Sequence, residues 1–295
     1  TPRQNDAVNS CWMQDSHRLN YKYINAETRI PQPVIRTDAE APHRPSTWEP
    51  ALVSAAEAVK RIAPNQLAII ASGRMTNEEL YMVRHLAAQI GTDMVDIVPR
   101  MGESAGMLIT ADRNPNTNGA RLVLDIEPGS RLDAIREGVR SGSIKGILSL
   151  GEDLISPEAG FTAEDLDKLD YLFMTAHSAN ETARHADLVL PGVTYAEKFG
   201  TMINVTGRIQ RLNRAIQPIG YARDDWQIFR DITLLLGGNP ALKDFNSALD
   251  ILTAMSTEYG ALNGVSWGSI GDGGQPILET GVTIPVVERE KNQGR

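Results

Sequence analysis

QLAIIASGRMTNEELYMVRHLAAQIGTDMVDIVP, residues 66–99, is the stretch that sets the architecture. Residues 66–72 form a short, nearly continuous apolar run with turn residues on both sides, the pattern of a strand covered on both faces of a parallel sheet. Gly73 turns the chain. Thr76 with Glu79 makes a capping box, Leu80, Val83, Leu86, Ala87 and Ile90 share one helical face, and Gly91 stands where a C-cap belongs. Residues 93–98 read as a second strand. Strand, helix and strand with short joints is the unit whose right-handed crossover builds doubly wound sheets.

The rhythm extends in both directions. Upstream, Ser46 and Glu49 read as a capping box, Leu52, Ala55, Val59 and Ile62 recur at helical spacing, and Pro64 closes the helix. Before Ser46 the chain is polar and irregular, with prolines at 31, 33, 42 and 45 that forbid a continuous helix. Downstream, residues 121–126 read as a strand, and Ser130 and Asp133 as the cap of a helix carrying Leu132, Ile135 and Val139. Residues 146–150 form a strand ending at Gly151-Glu152-Asp153, and a short helix near 162–169 leads into a strand at 171–174. A helical turn at 180–184 precedes a strand at 187–190, stopped by Pro191. A helix over 224–236 ends at Gly237 and Gly238, and the glycine-rich 260–274 region reads as loop. The predicted fold class is α/β, with doubly wound, mostly parallel sheets and flanking helices. We divide it into an amino-terminal segment (1–45), an α/β domain (46–240, in halves of about 46–160 and 161–240) and a carboxyl-terminal extension (241–295).

Composition excludes several classes. The 295 residues hold 29 Lys and Arg against 37 Asp and Glu, a net charge of −8, and no basic stripe suits nucleic acid. No apolar run approaches the ~20 residues that span a bilayer. The single cysteine, Cys11, excludes a disulfide framework and any four-thiolate zinc or iron–sulfur site from this chain alone, and it has no defined base partner for nucleophilic work. His17, His43, His85, His177 and His185 lack metal-ligand spacing. No G-x-G-x-x-G, P-loop or G-x-S-x-G motif occurs. The start at Thr1 carries neither an initiator Met nor signal-peptide character, so we expect a piece of a longer chain or a processed product in a reducing, cytoplasmic setting.

Ligands of such sheets gather where strands end and helices begin. Two joints qualify, Ser72-Gly73-Arg74 and Gly151-Glu152-Asp153. The most distinctive segment is ADLVLPGVTYAEKFGTMINVTGRIQR, residues 186–211. As a long polar loop it either supplies donors to a multi-anionic ligand or covers the sheet edge with satisfied backbone; physics alone leaves both readings open.

That segment resembles the molybdopterin oxidoreductase superfamily, through Ala186, Asp187, Val189, Leu190, Pro191, Glu197, Gly200, Thr201, Asn204, Gly207, Arg208 and Gln210. Residues 180–183 and 222–226 fit the same pattern. Within the superfamily, residues 5–9, Trp12 to Asp15, Arg18, Ser46 to Trp48 and 72–78 are most similar to the member of this superfamily that serves as a subunit of NADH-quinone oxidoreductase (complex I), and to its hydrogenase and formate dehydrogenase relatives. The resemblance implies iron–sulfur clusters (2Fe-2S and 4Fe-4S) in a preceding region and partner subunits, including a flavin-bearing one, in an NADH dehydrogenase or hydrogenase complex. It also implies a cytoplasmic place, peripheral to the inner face of the membrane. Gln14 stands where many relatives have Cys, and no thiol is left for molybdenum. The leading expectation is therefore a non-catalytic scaffold supporting electron transfer from NADH toward quinone, with no catalytic residue and no metal in this chain. The alternative is the part of a molybdenum enzyme such as formate dehydrogenase that holds a molybdopterin guanine dinucleotide. Gly151, Glu152, Asp153, Thr182, Lys198, Thr201, Asn204 and Arg208 would then surround it, vestigially or in function. Lys198 and Arg208 suit the phosphates, and Asp153 suits the guanine N–H groups. A third reading is a binding module of another class on a similar sheet.

Overall fold

A computed structural model describes residues 4–37, 41–106 and 108–283. The chain opens with a short helix α1 (Asp15–Arg18) and an antiparallel pair, β1 (Val34–Ile35) and β2 (Arg44–Pro45). It continues through α2 (Trp48–Arg61), β3 (Leu67–Ala71), α3 (Asn77–Ile90), β4 (Val95–Ile97), α4 (Thr117–Leu124) and α5 (Leu132–Ser141). Next come β5 (Gly146–Leu150), α6 (Ala163–Leu166), β6 (Tyr171–Ala176), α7 (Glu181–His185) and β7 (Leu188–Pro191). A hairpin of β8 (Gly200–Ile203) and β9 (Arg208–Leu212) precedes α8 (Asp225–Leu235), α9 (Ala248–Glu258), α10 (Trp267–Ile270) and β10 (Gln275–Pro276).

The seven-stranded sheet has the order β2-β1-β7-β6-β5-β3-β4, parallel from β7 to β4 with β1 and β2 antiparallel at one edge. This is the expected doubly wound α/β class. Every residue of β3, β5 and β6 is buried, as continuous apolar runs in a sheet covered on both faces require. One core face gathers Leu67, Ile69, Leu148 and Phe173 with α2, α3 and α8; the other gathers Ile70, Ile147, Leu172 and Met174 with α5. The sheet is continuous across residue 160 through the β5–β6 pairing, and Ile251, Leu252, Met255 and Leu262 from the 241–283 region join the first core.

Both bonds of the Thr76–Glu79 capping box are present, and Gly91 closes α3 in the left-handed conformation. Four local readings are corrected. Residues 121–126 do not form a strand: α4 runs over Thr117–Leu124, burying Ala120 and Val123 three residues apart, and β4 remains the sheet edge. Ser130 and Asp133 do not cap α5. Instead, the Asp96 carboxylate at β4 accepts from the amides of Gly129 (2.8 Å) and Arg131 (2.7 Å), closing the helix start from across the fold. Ser46 is not an N-cap: α2 begins one residue later, after Thr47, which shifts Glu49 out of the N3 position. The 260–274 region is not all loop, because Ser266 and Ser269 form a capping box for α10.

Candidate anion-binding cleft at the strand ends

Counted along the parallel strands, β4-β3-β5-β6-β7 reverses direction between β3 and β5. This topological switch opens a crevice at the strand carboxyl ends. A cleft of about 650 Å³ lies there. Its floor comes from the ends of β3 (Ser72), β5 (Gly151), β6 (Thr175 to His177) and β7 (Gly192), with Lys198 and Asp225 beside them; Tyr23 and the α1 region close one side. Although the chain is acidic overall, the lining holds Arg18, Arg74, Arg113 and Lys198 against a single carboxylate, Asp225. A cavity of similar size beside α4 (about 670 Å³) has one lining cation, Arg121, already paired with Glu127. Its position and charge make the switch-point cleft the stronger ligand site.

His177 records the local potential. Desolvation, then Arg29 and Lys198, push its imidazole down to about 4, so it is neutral at physiological pH. Its ring lies 5.5 Å from that of Tyr23, which stands 6.3 Å from Tyr195, making an aromatic rim. At the floor, the Thr175 hydroxyl is fully buried with no hydrogen-bond partner. A buried hydroxyl left unpaired costs roughly 1–3 kcal/mol, which a ligand atom reaching it would offset; Thr117 beside the α4 cavity is unpaired in the same way, so position and charge decide between the two cavities. Gly151 has φ +72°, a conformation that favours glycine, at the turn where β5 meets the cleft. A Cβ on Gly192 would fall 2.7 Å from Asp225 Oδ1, so glycine there lets the start of α8 reach Lys198. Lys198 is held by Glu79 and Asp225, and Arg18 by Asp15, so the cations left to face a ligand are Arg74 and Arg113; with the unpaired hydroxyl and bare backbone turns they fit an elongated anion such as a dinucleotide.

The eight residues predicted from the sequence separate into three groups. Gly151 and Lys198 line the cleft. Glu152, Asp153 and Thr182 stand next to it but bind protein: Glu152 is buried and clamped by Arg100 at 2.6 and 3.0 Å, while Asp153 accepts the Thr182 hydroxyl at 2.6 Å. Thr201, Asn204 and Arg208 lie in the β8–β9 hairpin and do not line the cleft. Thr201 donates its amide and hydroxyl to Glu78, the Asn204 side-chain carbonyl oxygen accepts from Thr206 and Arg208 in the turn, and Arg208 donates to the Gly274 carbonyl at 2.8 Å. The 186–211 segment thus comprises β7, a connecting loop from which Lys198 reaches the cleft, and the hydrogen-bonded β8–β9 hairpin. Sequence reasoning missed Arg18, Arg113, Thr175, His177 and Asp225 as cleft residues. Thr175 carried a readable signal, a polar residue near the carboxyl end of an otherwise apolar strand. Among the described residues, no group of three or more His, Cys, Asp and Glu side chains is arranged to hold a metal ion, and no helix is long and apolar enough to cross a membrane.

Comparison with known proteins places this architecture. Residues 93–233 match the model of the molybdopterin oxidoreductase family. A Staphylococcus haemolyticus protein named as a putative formate dehydrogenase is 32% identical over 142 residues, 48% of this chain and 14% of its own length. The NADPH-Fe(3+) oxidoreductase subunit alpha of Geobacter sulfurreducens is 33% identical over 136 residues, 45% of this chain and 16% of its own length. The match thus spans about one-sixth or less of these relatives. In fold, the chain is similar to acetylene hydratase from Pelobacter acetylenicus, with a TM-score of 0.55 at 9% identity, covering 83% of this chain and 66% of that one.

Proposed function

We propose that this domain holds an anionic pterin dinucleotide, of the molybdopterin guanine dinucleotide type, within an oxidoreductase subunit that passes electrons through iron–sulfur clusters borne outside this chain. The observation that carries the reading is the cationic switch-point cleft with the buried, unpaired Thr175 hydroxyl at its floor. Such a cofactor, when bound, supplies the redox chemistry. The chain's own side chains bind and orient: Arg74 and Arg113 are placed for phosphate oxygens, Thr175 donates its free hydroxyl, and the Tyr23–His177–Tyr195 rim offers apolar ring faces. His177 stays neutral, so it can donate from one ring nitrogen without adding charge.

A second reading is favoured by one specific feature. Glu152, Thr201, Asn204 and Arg208 are satisfied inside the protein. This supports a scaffold like the molybdopterin-oxidoreductase-type subunit of NADH-quinone oxidoreductase, standing between a flavin-bearing subunit and the quinone side at the cytoplasmic face of the membrane. Titration with guanosine diphosphate separates the two. The cofactor reading expects saturable binding that weakens with salt and with Arg74→Ala or Arg113→Ala. Absence of binding at millimolar nucleotide and low salt overturns it in favour of the scaffold.

A further inference from the structure

We propose that the cleft takes up its anion together with a proton, which lodges on the buried Glu79–Asp225 carboxylate pair flanking Lys198. The inference rests on the reading of the cleft as an anion site. Lys198 Nζ lies 2.8 Å from Glu79 Oε2 and 3.4 Å from Asp225 Oδ2, with side-chain exposures of 10%, 2% and 6%. With both carboxyls ionised, two negative charges and one positive charge leave a buried net charge of −1. Lys198 and Asp225 line the cleft floor, so an incoming anion meets this excess directly. One added proton brings the triad to neutrality and removes the repulsion.

Among the described residues, no other group packed nearby supplies the missing positive charge. On α3 itself the neighbour is Glu78, another carboxylate, which accepts from Thr201. At the start of α8, Asp224 is engaged by Arg214; from the amino-terminal segment, Arg29 is engaged by Glu197. Arg74 and the neutral His177 face the cleft from the ends of β3 and β6. Among the described residues, Lys198 is the cation within 4 Å of the pair. Burial, only partly offset by Lys198 and reinforced by Asp225, raises the Glu79 carboxyl to about 7, so the proton exchanges near physiological pH. The Lys198 ammonium stays charged, because its two carboxylate partners outweigh the cost of its burial.

Calorimetric titration with inorganic pyrophosphate near neutral pH, in HEPES and in Tris, counts protons through the difference in buffer ionisation enthalpy. Pyrophosphate's own proton exchange is common to all variants and cancels in the comparison. Wild type is expected to take up roughly 0.5–1 proton per anion more than Glu79→Gln, and above neutrality its affinity falls relative to the variant by up to about tenfold per pH unit. Asp225→Asn has the same charge arithmetic and serves if Glu79→Gln folds poorly. Equal proton counts in wild type and both variants, with pyrophosphate still bound, overturn this inference and leave the anion site standing. Failure of wild type to bind pyrophosphate at all removes both.

Discussion

Arg29 and Glu197 are 168 residues apart in the chain and joined by a bidentate ion pair, with Arg29 Nη2 lying 2.9 and 2.7 Å from the two carboxylate oxygens. Both side chains are almost wholly buried. The pair fastens the amino-terminal segment to the loop that leads into β8, next to the cleft. Glu197 also accepts from the Thr194 amide and hydroxyl and from the Ile219 amide. Arg29→Met leaves a buried carboxylate without its counter-charge, and should cost about 3–5 kcal/mol in chemical denaturation. Adding Glu197→Leu should recover only part of that loss, because the Thr194 and Ile219 donors are then orphaned.

The same pair sets an acid dependence. Burial alone would raise the Glu197 carboxyl, but the hydrogen bonds from Thr194 and Arg29 outweigh it and hold the group below the ordinary range. A depressed folded value means the stabilisation is present above the unfolded carboxylate range and disappears as pH falls through the folded value. The stability gap between wild type and Arg29→Met should therefore be widest near neutrality and shrink in acid. A gap independent of pH would contradict this.

Glu78 behaves in the opposite sense. It is 1% exposed, its partners are the Thr201 amide and hydroxyl, and burial lifts its carboxyl to about 7. The folded protein holds this proton where the unfolded chain has released it, so its contribution to stability falls as pH rises from about 4.5 to about 7 and then levels off. Glu78→Gln should gain on wild type by about 1–3 kcal/mol between mildly acidic and mildly alkaline pH, read from paired denaturation curves. A constant difference across that window would show that the carboxyl titrates normally.

Two glycines with similar backbone angles should respond differently to alanine. Gly207 has φ +77° and a Cβ there would stand 2.1 Å from the Leu278 carbonyl oxygen, whereas Gly151 has φ +72° with its nearest neighbours at 3.6 Å. Gly151→Ala meets the left-handed backbone penalty alone, about 1–2 kcal/mol. Gly207→Ala must also displace the backbone at Leu278, just past β10, and should cost clearly more. Thermal unfolding of the two variants side by side checks the order.

The legible part of the fold was that written in local chemistry. The apolar runs of β3, β5 and β6 and the Thr76–Glu79 box of α3 are each complete within a few residues, so periodicity and capping found them. Residues 121–126 misled because an apolar-rich run beginning inside a helix looks like a strand, and only Asn116 and Thr117 upstream mark the true start of α4. The Ser247–Asp250 capping box of α9 is equally local, its two members three residues apart. In the cleft, the joints at Ser72 to Arg74 and at Gly151 were readable because strand ends are. Lys198 came from the resemblance, but its pairing with Glu79, 119 residues away, is a product of the tertiary fold. The same holds for the clamp of Glu152 by Arg100 and of Glu78 by Thr201, pairings 52 and 123 residues apart that turn candidate ligands into braces.

The central claim is that the switch-point cleft holds a pterin dinucleotide. Its most direct test is the content of oxidised, fluorescent pterin per chain after purification from a molybdenum-replete host, in wild type and in Thr175→Val and Arg74→Ala variants of matched stability. Near-stoichiometric pterin in wild type, reduced in both variants, is the predicted result. Background fluorescence in wild type, or full retention by both variants, would contradict the claim.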